Sequence, residues 1–90
     1  MSGKNLEFEV YFSAKARKQL KDLDPVTQKR IKDTVKKLMV YPPMVDIGKV
    51  KTRPGEFRLR VGDWRVFFRY EFTLQQVEII AIRQREHAYS

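Results

Sequence analysis

From Glu56 to Arg69, apolar and charged positions alternate with a period of two. Phe57, Leu59 and Val61 alternate with Arg58 and Arg60, then Val66 and Phe68 with Arg65 and Arg69. That period marks strands with one buried face. Gly62-Asp63 separates the runs, a two-residue loop with glycine first, which suits a type II′ turn. The loop fixes a register: Val61 faces Trp64, Arg60 faces Arg65, Leu59 faces Val66 and Arg58 faces Phe67. Directly opposed Cβ atoms lie about 4.5–5.5 Å apart, so Arg60 and Arg65 crowd like charges together. A bound anion would offset that cost, and phosphate matches the planar guanidinium fork.

The same logic places the other elements. Leu6 to Phe12 alternates and predicts a first strand. Ser13 suits an N-cap for a helix over residues 14–23, where Ala16, Leu20 and Leu23 recur at helical spacing. Asp24-Pro25 opens a second helix, with Asp as cap and Pro at the first position. Val26, Ile31, Val35, Leu38 and Met39 carry its core stripe to about Val40, and Tyr41-Pro42-Pro43 stops it. Met44 to Pro54 predicts an irregular connection with room for a short strand. Thr52 to Glu56 reads as a turn, Phe72 to Gln76 as a loop and Val77 to Arg83 as a strand. Ile79, Ile80 and Ile82 put apolar groups on both faces, so that strand is expected in the sheet interior.

The predicted order β-α-α-β-β-β is an α+β fold in one domain, residues 1–90. It comprises an antiparallel, mixed sheet of about four strands, including the N-terminal strand, with the helical hairpin packed on one face. The helices should cover Phe57, Leu59, Val66 and Phe68. The face with Arg58, Arg60, Arg65, Phe67 and Arg69 should stay open.

Charge sharpens this picture. With 19 Lys and Arg against 11 Asp and Glu, the net charge is +8. A small domain this basic is drawn to polyanions, nucleic acid first. Arginines beside an exposed aromatic suit single-stranded RNA, guanidinium on phosphate and ring on base. Lys49, Lys51, Arg53, Phe67 and Arg69 are therefore candidate RNA contacts. The many helix lysines read as a solvated face. One histidine and no cysteine leave no transition-metal constellation, and no cofactor is expected. No apolar run approaches the ~20 residues of a membrane span, and the N-terminus lacks an apolar signal region. The expectation is a cytoplasmic protein.

The run Glu56-Phe-Arg-Leu-Arg-Val-Gly-Asp-Trp-Arg-Val-Phe-Phe68, followed by a strand and Arg83-Gln-Arg-Glu-His-Ala-Tyr89, resembles the RelE/ParE superfamily of toxin–antitoxin toxins. The resemblance covers nearly the whole chain. In the RelE branch it implies a ribosome-dependent endoribonuclease that cuts mRNA in the decoding site by 2′-hydroxyl attack on the adjacent phosphate. The family's functional positions fall on Arg58, Arg60, Arg65, Arg83 and Tyr89, with Arg85 a further candidate. Arg83 would support the leaving 5′-oxygen, and Tyr89 would stack on a base or orient the 2′-hydroxyl. The implied partners are a ribosome carrying mRNA and a cognate antitoxin that wraps the toxin with helical segments. Against a net charge of +8, an acidic antitoxin is expected.

One departure matters. The first-strand basic pair, commonly lysine in the RelE pattern, is Arg58 and Arg60 here. Arginine does not give up its proton near neutral pH, so the general base stays open between His87 and Glu56. The ParE branch implies the same fold and a gyrase-binding toxin without catalysis. A non-catalytic RNA-binding repressor is the third alternative. Arg65, Arg83 and Tyr89, which a nuclease needs and a gyrase binder does not, favour cleavage.

Overall fold

A computed structural model describes residues 6–84. The chain runs β1 (Leu6–Glu7), β2 (Glu9–Phe12), α1 (Ala14–Lys21), α2 (Pro25–Val35), a 3-10 turn (Lys36–Met39), β3 (Val40–Tyr41), β4 (Ile47–Lys49), β5 (Glu56–Val61), β6 (Trp64–Glu71) and β7 (Gln76–Gln84). Five strands form one mixed sheet in the order β2-β7-β6-β5-β4, with β2 parallel to β7 and the other pairs antiparallel. The α+β class and the helical pair match expectation. The sheet has one strand more than expected, because Ile47–Lys49 pairs with β5.

Two further differences have local causes. The first strand divides at Phe8, which is buried and in contact with Tyr41, Tyr70 and Phe72. Before Phe8 the chain pairs with β3, and after it with β7. The second helix ends at Val35 instead of about Val40. The residue before a proline is pushed toward extended backbone, and Val40 and Tyr41 are extended and paired with β1.

The helices start as their caps dictate. Ser13 Oγ accepts from the Ala16 amide at 3.0 Å, and Asp24 accepts from the Thr27 amide at 3.1 Å. Hydrogen bonds from Thr27 hold the Asp24 carboxyl below its ordinary range. The core lies between helices and sheet, with Ile31, Leu38, Leu59, Val66, Phe68 and Ile79 fully buried. Burying a side chain of this type contributes about 1.5–3 kcal/mol. No helix among the described residues is long and apolar enough to cross a membrane.

The hairpin register is as predicted: Val61 opposite Trp64, Arg60 opposite Arg65, Leu59 opposite Val66 and Arg58 opposite Phe67. Gly62 has φ +60° and Asp63 has no positive φ, as a type II′ turn requires. Trp64 packs against the core.

Candidate functional site

The opposite sheet face is built by β4 to β7. In the row next to the turn, Arg60 faces Arg65 and Arg65 faces Arg83, so three arginines stand abreast on adjacent strands. In the second row, Gly48, Arg58, Phe67 and Ala81 are successive partners. In the third, Arg69 stands between Glu56 and Glu78. Charge on this face is therefore polarised: all positive at the turn, mixed at the far end.

A bulge in β7 brings Arg83 to this face. Phe67 pairs with Ala81 and Phe68 with Ile79, leaving Ile80 as an extra residue. Without the bulge, Arg83 would follow Val77 and Ile79 onto the helix-covered face, because one residue of slip exchanges the faces of a strand. The bulge also explains the Ile79-Ile80 doublet. Interior position does not by itself account for apolar residues at both parities; the change of parity keeps Val77, Ile79 and Ile82 all buried.

Helix α1 holds the bulge in place. β2 pairs with β7 only as far as Ile79. Beyond that point Ser13 Oγ donates to the Ile80 carbonyl at 2.9 Å, and the Ile82 amide donates to Gln19 Oε1 at 2.7 Å. Two side chains thus replace the strand that β7 lacks there.

Within the first row, Arg60 and Arg83 are exposed and Arg65 is half-buried. Its Nε is buried and has no acceptor among the described residues. A buried donor left unmatched costs about 1–3 kcal/mol, which an anion at the row would relieve. Arg58 lies over Gly48, where an added Cβ would come within 3.1 Å of its Nη2. Arg30 from α2 reaches the turn on Gly62, 3.2 Å from an added Cβ.

The remaining candidates are distributed unevenly. Arg69 is exposed on the arginine face, and Phe67 is half-buried there. Lys49 is exposed, but its partner is Phe57, so its register position belongs to the other face. Lys51 is exposed in the turn after β4. Arg53 folds back, its Nη1 3.6 Å from Glu56 Oε2. Arg85, His87 and Tyr89 lie outside the described residues.

The loop after β4 corrects the expectation of an open face. Arg53, Thr52 and Val50 border a cavity of about 200 Å³ over Phe67 that Glu56, Lys15 and Arg83 also line. Glu56 is only 3% exposed. The sequence offered Glu56 as a candidate base and placed Lys15 in the solvated face of the helices. The signal for Glu56 was its parity with Arg58 and Arg60; the covering loop carried none. Glu56 sits four residues along β5 from Arg60, about 13 Å at 3.3 Å per residue. Its backbone is therefore set well back from the first row, while its side chain lines the cavity that Arg83 shares.

Comparison with known proteins fixes the class. The chain matches the family "ParE toxin of type II toxin-antitoxin system, parDE" over residues 10–89. It is 30% identical to RelE1 of Methanocaldococcus jannaschii over 87 residues, covering 93% of this chain and 97% of the relative. The chain belongs to the RelE/ParE superfamily and is a toxin of a type II toxin–antitoxin module. Solved structures share the fold. The RelE–RelB complex of Pyrococcus horikoshii matches with TM-score 0.74 at 20% identity, over 91% of this chain and 99% of that one. The RelBE2 complex of Mycobacterium tuberculosis matches with TM-score 0.74 at 24% identity, over 89% and 100%.

Proposed function

We propose that this toxin cleaves mRNA in the ribosomal decoding site, using the row Arg60, Arg65 and Arg83 to hold and activate one phosphate. The row itself is the observation that carries this reading. Three like charges abreast cost stability in the free protein, and a single phosphate placed against them removes the repulsion. In the reaction the 2′-oxygen bonds to phosphorus while the bond to the 5′-oxygen breaks. The 2′-proton leaves to a base and a proton arrives on the 5′-oxygen, giving a 2′,3′-cyclic phosphate and a 5′-hydroxyl. Negative charge grows on the phosphorane oxygens, and fixed guanidinium donors aimed there lower the barrier selectively. Arg58 and Arg69 would extend the contact along the strand.

The row contains no group able to take the 2′-proton. With arginine in both first-strand positions and the Glu56 backbone set back from the row, that role falls to His87 or to the ribosome. The ribosome would also supply the geometry, so cleavage of free RNA should be slow.

The antitoxin partner has a surface that suits it. A groove of about 780 Å³ between the helices and β2 is lined by Val10, Phe12 and Leu20, with Arg17, Lys21 and Lys32 beside them. An amphipathic acidic segment would fit that combination, which supports the reading of an acidic, helical antitoxin.

A second reading has one observation in its favour: the matching family is described as ParE. On that reading the chain binds gyrase and cuts nothing. Two assays on the same preparation separate them. Primer extension on a ribosome complex with an empty decoding site should show cuts within the exposed codon, with cyclic-phosphate ends, while gyrase supercoiling proceeds unaffected. Intact mRNA together with blocked supercoiling would replace the nuclease reading with the ParE one.

A further inference from the structure

The cavity over Phe67 has a use that phosphate binding leaves unexplained. At about 200 Å³ it is below the ~300 Å³ at which drug-sized ligand pockets begin, so it suits one heterocycle. Phe67 lines it and is half-buried. Lys15, Arg53 and Arg83 supply cations around it, and Arg83 also belongs to the arginine row, so the cavity adjoins the phosphate site. Glu56 lines it as well. Its side chain is 97% buried, and Oε2 finds no hydrogen-bond donor among the described residues. The Arg53 contact at 3.6 Å balances its charge but is too long for a hydrogen bond.

A buried carboxylate inside an otherwise basic RNA face repels phosphate, so its chemistry points to a different part of the nucleotide. We infer that this cavity binds a guanine base of the mRNA next to the cleaved phosphate, with the ring on Phe67 and its N1–H and N2 amine donating to the Glu56 carboxylate. This rests on the reading of the arginine face as the RNA site. The choice of base follows from donors and acceptors. An ionised carboxylate only accepts. Guanine is the base whose Watson–Crick edge carries two adjacent donors. Adenine and cytosine place a ring-nitrogen acceptor beside their single amine, and uracil flanks its one N–H with two carbonyls. Stacking on an aromatic with edge recognition is how single-stranded RNA is commonly read.

The test is calorimetric binding of short oligouridine strands carrying one guanosine, inosine or adenosine to the full-length chain. Inosine lacks only the N2 amine. The guanosine strand should bind roughly tenfold more tightly than the inosine strand, as expected for one hydrogen bond to a charged group. Adenosine should bind no better than inosine. Glu56→Gln, whose amide offers one acceptor and presents a donor, should reduce the guanosine preference to within about twofold. Free guanosine, lacking the phosphate that the row holds, should bind at least about tenfold more weakly than the guanosine strand.

Equal affinity of the unmodified protein for guanosine and inosine overturns the inference without any variant having to fold. So does a guanosine preference that survives in Glu56→Gln, or free guanosine binding as tightly as the strand. Ribosomal cleavage is scored separately. Cleavage with no guanosine preference removes the pocket and keeps the nuclease; guanosine-selective binding without cleavage does the reverse.

Discussion

Arg65 stands between Arg60 and Arg83 with its Nε buried and without an acceptor among the described residues. Stability alone gives no reason for that arrangement, whereas the proposed contact with a phosphate does. Tyr70 presents a different residue-scale problem. It packs edge-on against Phe8, Tyr41 and Phe68, and its buried hydroxyl has no partner among the described residues. Burial, with a smaller effect from Tyr41, raises its pKa from 10.0 to about 12. Since the folded value lies above the unfolded one, the neutral phenol favours the native state. That contribution is complete below pH 10 and is lost as pH rises from 10 to about 12. In urea melts across this range, Tyr70→Phe should match or exceed wild-type stability at pH 7 and should lose less of it above pH 10. A variant clearly weaker at pH 7 would mean that the hydroxyl has a partner after all.

At the scale of elements, the β7 bulge decides which arginines meet, and α1 holds the bulge. Ser13→Ala removes both the helix cap and the bond to the Ile80 carbonyl. It should cost about 1–2 kcal/mol in chemical denaturation, and it should lower mRNA cleavage because Arg83 loses its anchorage. Unchanged cleavage in a destabilised variant would separate the bulge from function. This element also marks the limit of what the sequence shows. Strict alternation and a glycine-first turn made the β5–β6 register legible, and Ser13 and Asp24 made both helix starts legible. The bulge was hidden because Ile79-Ile80 reads equally well as an interior strand. Residues 44–54 left room for a short strand, and β4 lies there; its pairing with β5 and the covering loop were hidden because that stretch carries no period. Glu56 shares its cavity with that loop, so its burial was hidden too.

The whole molecule separates two surfaces. Helices and β2 present an apolar groove bordered by cations, suited to an acidic antitoxin segment, and the far face of the sheet presents the arginine row. The +8 charge favours polyanionic partners in general, and the proposed phosphate site is the row. The most direct test of that site is the single-turnover rate of decoding-site cleavage in a defined ribosome complex, measured for wild type, Arg60→Ala, Arg65→Ala and the double variant. Arg65→Ala should slow cleavage about 10²–10³-fold. Because the arginines act on one phosphate, the double variant should be much less impaired than the product of the single effects. Cleavage by Arg65→Ala at the wild-type rate, or strictly multiplicative losses, would contradict a row that works as one unit.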